Sequence, residues 1–429
     1  MKTIFRSVNL AVLLAAILAI GAVAGFAQDP TPNPACTDSA GINDLDAKWR
    51  AAWADKTLAG RKNFVNAGKQ FLEKYGACDS QKESNDWLKT KVPETETKTI
   101  PDMEKSAQKQ ALVARFDNGL KGKNWDEVYA AGKEIIAKYP EEYRTAEIVL
   151  GSIGYSELYD KANGKYNDDT LKYAKMSIAD LEAGKSFVLG KDTRYGIGEF
   201  QYPDKEDALG WLNLYVGYIT QVGLKNKKDA QPYLYKATQI VSAASKSQAS
   251  KQPIPYEMIG NYYFDELNKL TKEVTAMIAD QKETDPPEVA KQKVEDIKAK
   301  VALANGTAER AMDAFARAYN LGVAKAYKDL MYKNLQDAFK VRYGKTDALN
   351  ASWIAEAVKK PLPNPTTPVT PIADPDAVTT TTTTGTAPAT PPATPAKPPT
   401  APPANTTAKP PAKPSSSVPA KKAIAKKAV

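Results

Sequence analysis

Cys36 and Cys78 are the only thiols in the chain, and no histidine occurs among its 429 residues. Lack of histidine removes the commonest general base, the commonest metal ligand and the histidine-assisted Ser or Cys nucleophile together. A structural zinc wants four ligands, which two thiols alone do not supply. In an oxidising compartment Cys36 and Cys78 are instead expected to pair, closing a loop of about 40 residues that stabilises the N-terminal helices by roughly 3–4 kcal/mol. Carboxylate-only chemistry survives this test, because Glu141-Glu142, Asp168-Asp169 and Asp204 with Glu206-Asp207 are acidic clusters. All stand at expected helix starts, where the positive end of the helix dipole favours them, and that structural role is the expected one. Gly196-Ile197-Gly198 lacks both the third glycine and the preceding strand of a dinucleotide loop. The chain is therefore read as a non-enzyme with no catalytic residues, no metal site and no cofactor.

Groups suited to recognition are more abundant. Among 21 tyrosines, Tyr215, Tyr218, Tyr233, Tyr235 and the run Tyr262-Tyr263-Phe264 gather in the middle of the sequence. Consecutive aromatics on a helix cannot all face one core, so one of Tyr262 and Tyr263 is expected to keep exposed surface. These rings serve either interhelical packing or a partner-facing strip. The stretch from Gly184 to Pro203, carrying Phe187, Arg194, Tyr195, Phe200 and Tyr202, is too long for a plain turn between helices, and long structured loops often carry function. Arg194, Tyr195, Tyr202, Tyr262 and Tyr263 are thus the candidate partner contacts.

Both ends of the chain carry their own information. Lys2 and Arg6 precede an uncharged apolar run from Leu10 to Ala24, followed by small residues at Gly25 and Ala27. This pattern predicts a signal peptide over 1–27, cleaved near Ala27, and hence export to a periplasmic or extracellular location. The competing reading, a membrane span, needs about 20 apolar residues, more than this run provides. After Lys360 prolines recur every few residues, so residues 361–429 read as a disordered tether with too little apolar surface to offset its ordering entropy. Lys421, Lys422, Lys426 and Lys427 gather at its tip, either as a solubilising end or as a contact for an anionic envelope polymer. The formal charge is +9, of which the first 27 residues hold +2 and residues 361–429 hold +5, leaving +2 for the body. A body so nearly balanced argues against nucleic acid as a partner.

Between a short linker at 28–41 and the tether, residues 42–360 have apolar side chains recurring at three and four, which predicts helices. Pro140, Pro203, Pro232, Pro253, Pro255 and Pro286-Pro287 are expected between helices or at their starts. One decapeptide recurs: Ala67-Gly68-Lys69-Gln70-Phe71-Leu72-Glu73-Lys74-Tyr75-Gly76 returns as Ala131-Gly132-Lys133-Glu134-Ile135-Ile136-Ala137-Lys138-Tyr139-Pro140. The second copy, entered by Lys123-Asn124-Trp125-Asp126-Glu127-Val128, resembles the second helix of a tetratricopeptide repeat, with Val128, Gly132, Ile135 and Pro140 at the family's spacing. Matching sets are Ala174, Ile178 and Leu181; Ala230, Leu234 and Ala237; and Ala311, Phe315 and Ala318. Trp211, Leu214 and Tyr218 are similar to a first helix, although Tyr215 replaces the glycine usual after the Leu, and the repeat starts are unevenly spaced. The resemblance implies an all-α fold, a degenerate TPR-like α-solenoid of stacked helical hairpins with a groove for an extended peptide or a partner's helix. On this reading the protein is an exported scaffold for protein or peptide partners with no small-molecule substrate. The alternative is an envelope-associated structural protein acting through its basic tail.

Overall fold

A computed structural model of the chain describes residues 33–187 and 194–373; the expected signal peptide and the tail lysines Lys421, Lys422, Lys426 and Lys427 lie outside the described residues. Helices are the only regular elements among the described residues, apart from an isolated antiparallel bridge between Tyr195 and Tyr202. The predicted all-α class therefore holds. Residues divide into two compact units, 1–109 and 110–429, where the sequence suggests one domain over 42–360. None of the described helices is long and apolar enough to cross a membrane.

The first unit contains α1 (Ser39–Ala54), α2 (Leu58–Tyr75) and α3 (Lys82–Glu94). Within the expected 28–41 linker a 3-10 turn spans Pro34–Thr37. Cys36 and Cys78 are disulfide-bonded with Cα atoms 5.4 Å apart, which ties that turn to the chain leaving α2. Asp38 caps α1 by accepting the Gly41 amide at 2.9 Å, and it also accepts the Tyr75 hydroxyl at 2.9 Å. Trp49 and Phe64 in the core interlock with Trp53 and Trp87 at its edge, with ring centroids 4.8–5.8 Å apart. Gly68, from the first copy of the repeated decapeptide, sits where α2 and α3 meet; a β-carbon there would stand 2.5 Å from a Val92 methyl. Its counterpart Gly132 is similarly confined, 3.0 Å from both Leu150 and Phe116. In both copies the glycine permits close packing.

The second unit takes the C-terminal part of α4 (Ile100–Gly122) and continues through α5 (Trp125–Lys138), α6 (Thr145–Lys161), α7 (Asn167–Glu182), α8 (Lys205–Tyr218) and α9 (Lys227–Gln239). It ends with α10 (Ile254–Ala279), α11 (Pro287–Leu321), α12 (Lys325–Tyr343) and α13 (Ala351–Lys359). Asn124, Asp204, Asn226 and Asn350 cap α5, α8, α9 and α13 through their side chains. Each such cap contributes about 1 kcal/mol. Apolar burial is distributed in series: one cluster joins α4 to α7, a second α6 to α8, and a third α8 to α13. The expected anchors Val128, Ala174, Ala230, Leu234, Ala237, Ala311, Phe315 and Ala318 are all 0% exposed.

In four pairs, α4 with α5, α6 with α7, α8 with α9 and α10 with α11, a glycine on the first helix receives the second. A β-carbon at Gly119 would meet Val128, at Gly151 the Ala174 backbone, at Gly217 Leu234, and at Gly260 the Phe315 ring. The small residue absent at 215 is thus supplied at Gly217, three positions past Leu214, while Tyr215 turns toward α6 and stacks on Tyr155 with ring centroids 4.5 Å apart. One proline expectation is corrected. Pro232 lies inside α9, not at its start. It can offer no amide to the preceding turn, and the neighbouring Gln231 side chain donates to the Lys227 carbonyl there at 2.7 Å.

A second correction concerns the tether. Residues 361–373, expected to be free of the body, run along α11. Leu362 is buried, the Ile372 amide donates to the Ala302 carbonyl at 2.8 Å, and Asn305 Nδ2 donates to the Ile372 carbonyl at 3.1 Å. Arg310 donates to the carbonyls of Asn364, Thr367 and Pro368 and to the Thr367 hydroxyl, all within 3.2 Å. A proline-rich strand retains its carbonyl acceptors while lacking amide donors, and its restricted backbone loses less entropy on docking, so a guanidinium fork suits it. Gly306 lets it come close: a β-carbon there would lie 2.1 Å from the Thr370 carbonyl oxygen. Gly306→Val is expected to detach the strap while leaving the body's unfolding midpoint nearly unchanged. Hydrogen exchange checks this, with the Ile372 amide losing protection; unchanged protection would refute the role of Gly306.

Candidate partner-binding site

Among its described residues the long loop turns aromatic side chains inward. Tyr202 is 2% exposed, and its hydroxyl lies 3.1 Å from that of Tyr215 and 3.3 Å from Ser152 Oγ. Tyr195 and Tyr202 exchange backbone hydrogen bonds of 2.9 and 2.7 Å around a turn in which Gly196 (φ +89°) and Gly198 (φ +61°) take left-handed conformations. Phe187 and Phe200 are buried. Tyr202 is therefore withdrawn as a partner contact, because its ring fills the core between α6 and α8. Arg194 is exposed and Tyr195 half-buried at the loop's rim.

The neighbouring pair on α10 divides as alternation on a helix requires. Tyr263 is 3% exposed and its hydroxyl accepts from Arg310 at 2.8 Å, so it too is withdrawn; the ring belongs to the core beside the strap. Tyr262 is half-buried and borders an open hollow lined by Lys225, Lys227, Lys228 and Lys269 together with Asp265 and Glu266. Lys227 pairs with Asp265 and Lys269 with Glu266, which leaves Lys225 and Lys228 as a net positive charge on a hollow open to solvent.

A different group of rings converges where alternate helices meet. α6 touches α8, α8 touches α10, and α10 meets α12 through Glu257 and Tyr327. Along this line Tyr155 stacks on Tyr159 with centroids 5.6 Å apart, and Tyr218 sets its edge against both, at 5.1 and 5.7 Å. The Tyr327 hydroxyl donates to Glu257 Oε2 at 2.9 Å. Tyr159, Tyr218, Glu257 and Tyr327 all keep part of their surface accessible. Burial pushes the Glu257 carboxyl above its usual range against the opposing hydrogen bonds from Tyr327 and Asn261. Burial, with the nearby Tyr159, Glu257 and Asp160 charges, pushes the Tyr218 hydroxyl up to about 12. Tyr327 is raised by burial first and Glu257 second. At neutral pH these phenols stay protonated as hydrogen-bond donors.

No protein family, curated protein or solved structure matches this chain.

Sequence reasoning reached Tyr218 but missed Tyr155, Tyr159, Glu257 and Tyr327. The four-residue spacing of Tyr155 and Tyr159 on α6 was an available signal. Glu257 carries no comparable mark, being one of many first-turn acids. The acidic clusters of the sequence take structural positions: Asp204 caps α8, Glu206 and Asp207 occupy its first turn, Asp168 and Asp169 the first turn of α7, and Glu141 pairs with Arg144 at 2.6 Å. Among the described residues no three His, Cys, Asp or Glu side chains gather as a metal site would require.

Glu147, inside α6, is a further perturbed acid. Burial, and next the negative charge of Asp180, push its carboxyl up to about 7, against the pull of Arg144. It is 3% exposed and its Oε2 has no hydrogen-bond partner, so no substrate reaches it. A pKa raised on folding means that the stability contributed by the protonated acid is full below the unfolded value near 4.5 and is lost as pH rises through about 7. Glu147→Gln should therefore be close to neutral at pH 4.5 and stabilising at pH 8 by about 2–3 kcal/mol. Urea melts at the two pH values measure this; a difference independent of pH would exclude Glu147 as the titrating group.

Proposed function

We propose that this protein is a non-catalytic scaffold that binds a protein or peptide, built as a degenerate TPR-like array and working outside the cytoplasm. The observation that carries the reading is the convergence of Tyr155 and Tyr159 from α6, Tyr215 and Tyr218 from α8, Glu257 from α10 and Tyr327 from α12 on one line. Serial burial and the glycine contacts between successive helices are what a stack of hairpins needs, since a hairpin cannot cover its own apolar stripe. In such a stack one helix of each pair lines the concave side, and on this reading that role falls to α6, α8, α10 and α12. Tyrosines there offer large rigid contact area with a polar end, a combination suited to peptide recognition.

A random dodecapeptide display library panned on the full-length protein tests this. Binding peptides should emerge, and Tyr159→Ala with Tyr218→Ala should weaken them by about tenfold or more, the scale of lost hot-spot aromatics. If no peptides emerge, or if they bind the double variant as well as the parent, the proposed groove is not the site. The second reading rests on the +5 charge of residues 361–429 and the four lysines in the last nine positions. It expects full-length protein to bind anionic polymer in a way that collapses between low and physiological salt, and Lys→Gln changes at 421, 422, 426 and 427 to abolish that binding.

A further inference from the structure

We propose that the niche formed by Glu257 with Tyr159, Tyr218 and Tyr327 receives a cationic side chain, the ammonium of a lysine or the guanidinium of an arginine, presented by the bound peptide. This rests on the peptide-binding reading above and specifies which chemistry the groove selects.

Three observations converge on a cation. The first is the absence of countercharge. Among the described residues no lysine or arginine pairs with Glu257, whose partners are the Tyr327 hydroxyl and Asn261. The exposed carboxylate of Asp160 lies near the same tyrosines and likewise has no ion pair among the described residues. Elsewhere in this unit Glu157 pairs with Lys161, Asp313 with Arg317 and Glu182 with Lys236, while Glu147, a buried acid with an unpartnered oxygen, is closed to any ligand as Glu257 is not. A carboxylate drawn out of water without an opposite charge is costly, and a ligand cation would relieve that cost.

The second observation is the ring arrangement. Tyr159 and Tyr218 meet T-shaped beside Tyr327 and Glu257, and a cation over the negative face of a tyrosine beside a carboxylate is attracted by both groups. The third is exclusion. An anionic ligand would meet Glu257 and Asp160 as like charges, and a purely apolar one would bury Glu257 further with nothing to satisfy it.

The test uses the same full-length protein and the peptides selected from the dodecapeptide library. Winning peptides should share one basic residue at a fixed position. Replacing that residue by Gln should weaken binding about tenfold, as should Glu257→Gln in the protein, which keeps an acceptor for Tyr327. The two changes together should weaken binding little more than either alone, because each removes the same contact. Asp160→Asn, at an exposed position tolerant of change, should weaken binding by a smaller factor, about threefold. Glu283→Gln, an exposed acid on the connector before α11, should have no effect. The proposal is overturned if the winners lack a fixed basic residue, if Glu257→Gln binds them within twofold of the parent, or if Glu283→Gln weakens them equally, the mark of unspecific charge attraction. Peptides lost with Tyr159→Ala and Tyr218→Ala but indifferent to Glu257→Gln would leave the groove standing and remove only the cation. Peptides indifferent to all of these changes would remove both.

Discussion

Replacing Cys36 and Cys78 together by serine should lower the stability of the first unit by about 4 kcal/mol, the chain-entropy value for a loop of this length. The bond closes a loop with a sequence separation of 42 and joins the turn before α1 to the chain after α2. Its loss frees the unfolded chain and, in the folded state, loosens the segment that presents Asp38 to both Gly41 and Tyr75. Four kcal/mol is a large part of what an ordinary domain possesses. Hydrogen exchange should show the amides of α1 to α3 losing about three orders of magnitude of protection, while those of α7 to α11 keep theirs. A reducing agent should reproduce the effect in the parent protein and do nothing further to the variant. Equal protection in the oxidised parent and the serine variant would show that the core around Trp49, Phe64 and Trp87 holds the unit without the bond.

Legibility in the sequence follows the range of the physics involved. Helices were readable because their apolar spacing is local, and the buried anchors Ala174, Ala230 and Ala311 stand out as small residues at fixed offsets. The cysteine pair was readable because only one pairing is possible. Tyr202 was misplaced because its burial depends on Ser152 and Tyr215, residues 50 and 13 positions away, which no local pattern encodes. Gly217 was missed as the close-contact position because the family spacing points to 215. The strap was missed because composition describes what a segment can bury, not which acceptors a distant arginine can satisfy; Arg310 lies 54–58 residues from the carbonyls it holds. Glu257 shows the same limit, since its environment comes from α6, α8 and α12.

Phe315→Ala should cost about 3–5 kcal/mol, the range for deleting a fully buried ring. Phe315 is 0% exposed, its ring atoms stand 2.6 Å and 2.7 Å from where a β-carbon on Gly260 would be, and Phe264 packs its edge at 6.1 Å. A ring so held leaves a void when removed, because the helices around it are fixed by further contacts and close only partly. The distribution of the loss is as informative as its size. In a linear stack each hairpin couples to its neighbours alone, so exchange protection should fall in α10, α11 and α12 and persist in α5 to α7. A single cooperative core would lose protection throughout the unit, and that result would remove the proposed array together with its groove. Gly260→Ala should act on the same contact from the other side, overfilling it at a cost of about 1–3 kcal/mol. Because a rigid ring cannot yield to the added methyl but a leucine can, Gly260→Ala combined with Phe315→Leu should cost less than the two changes summed. Additive costs would mean that the ring and the glycine do not share the contact on which α10 and α11 are joined.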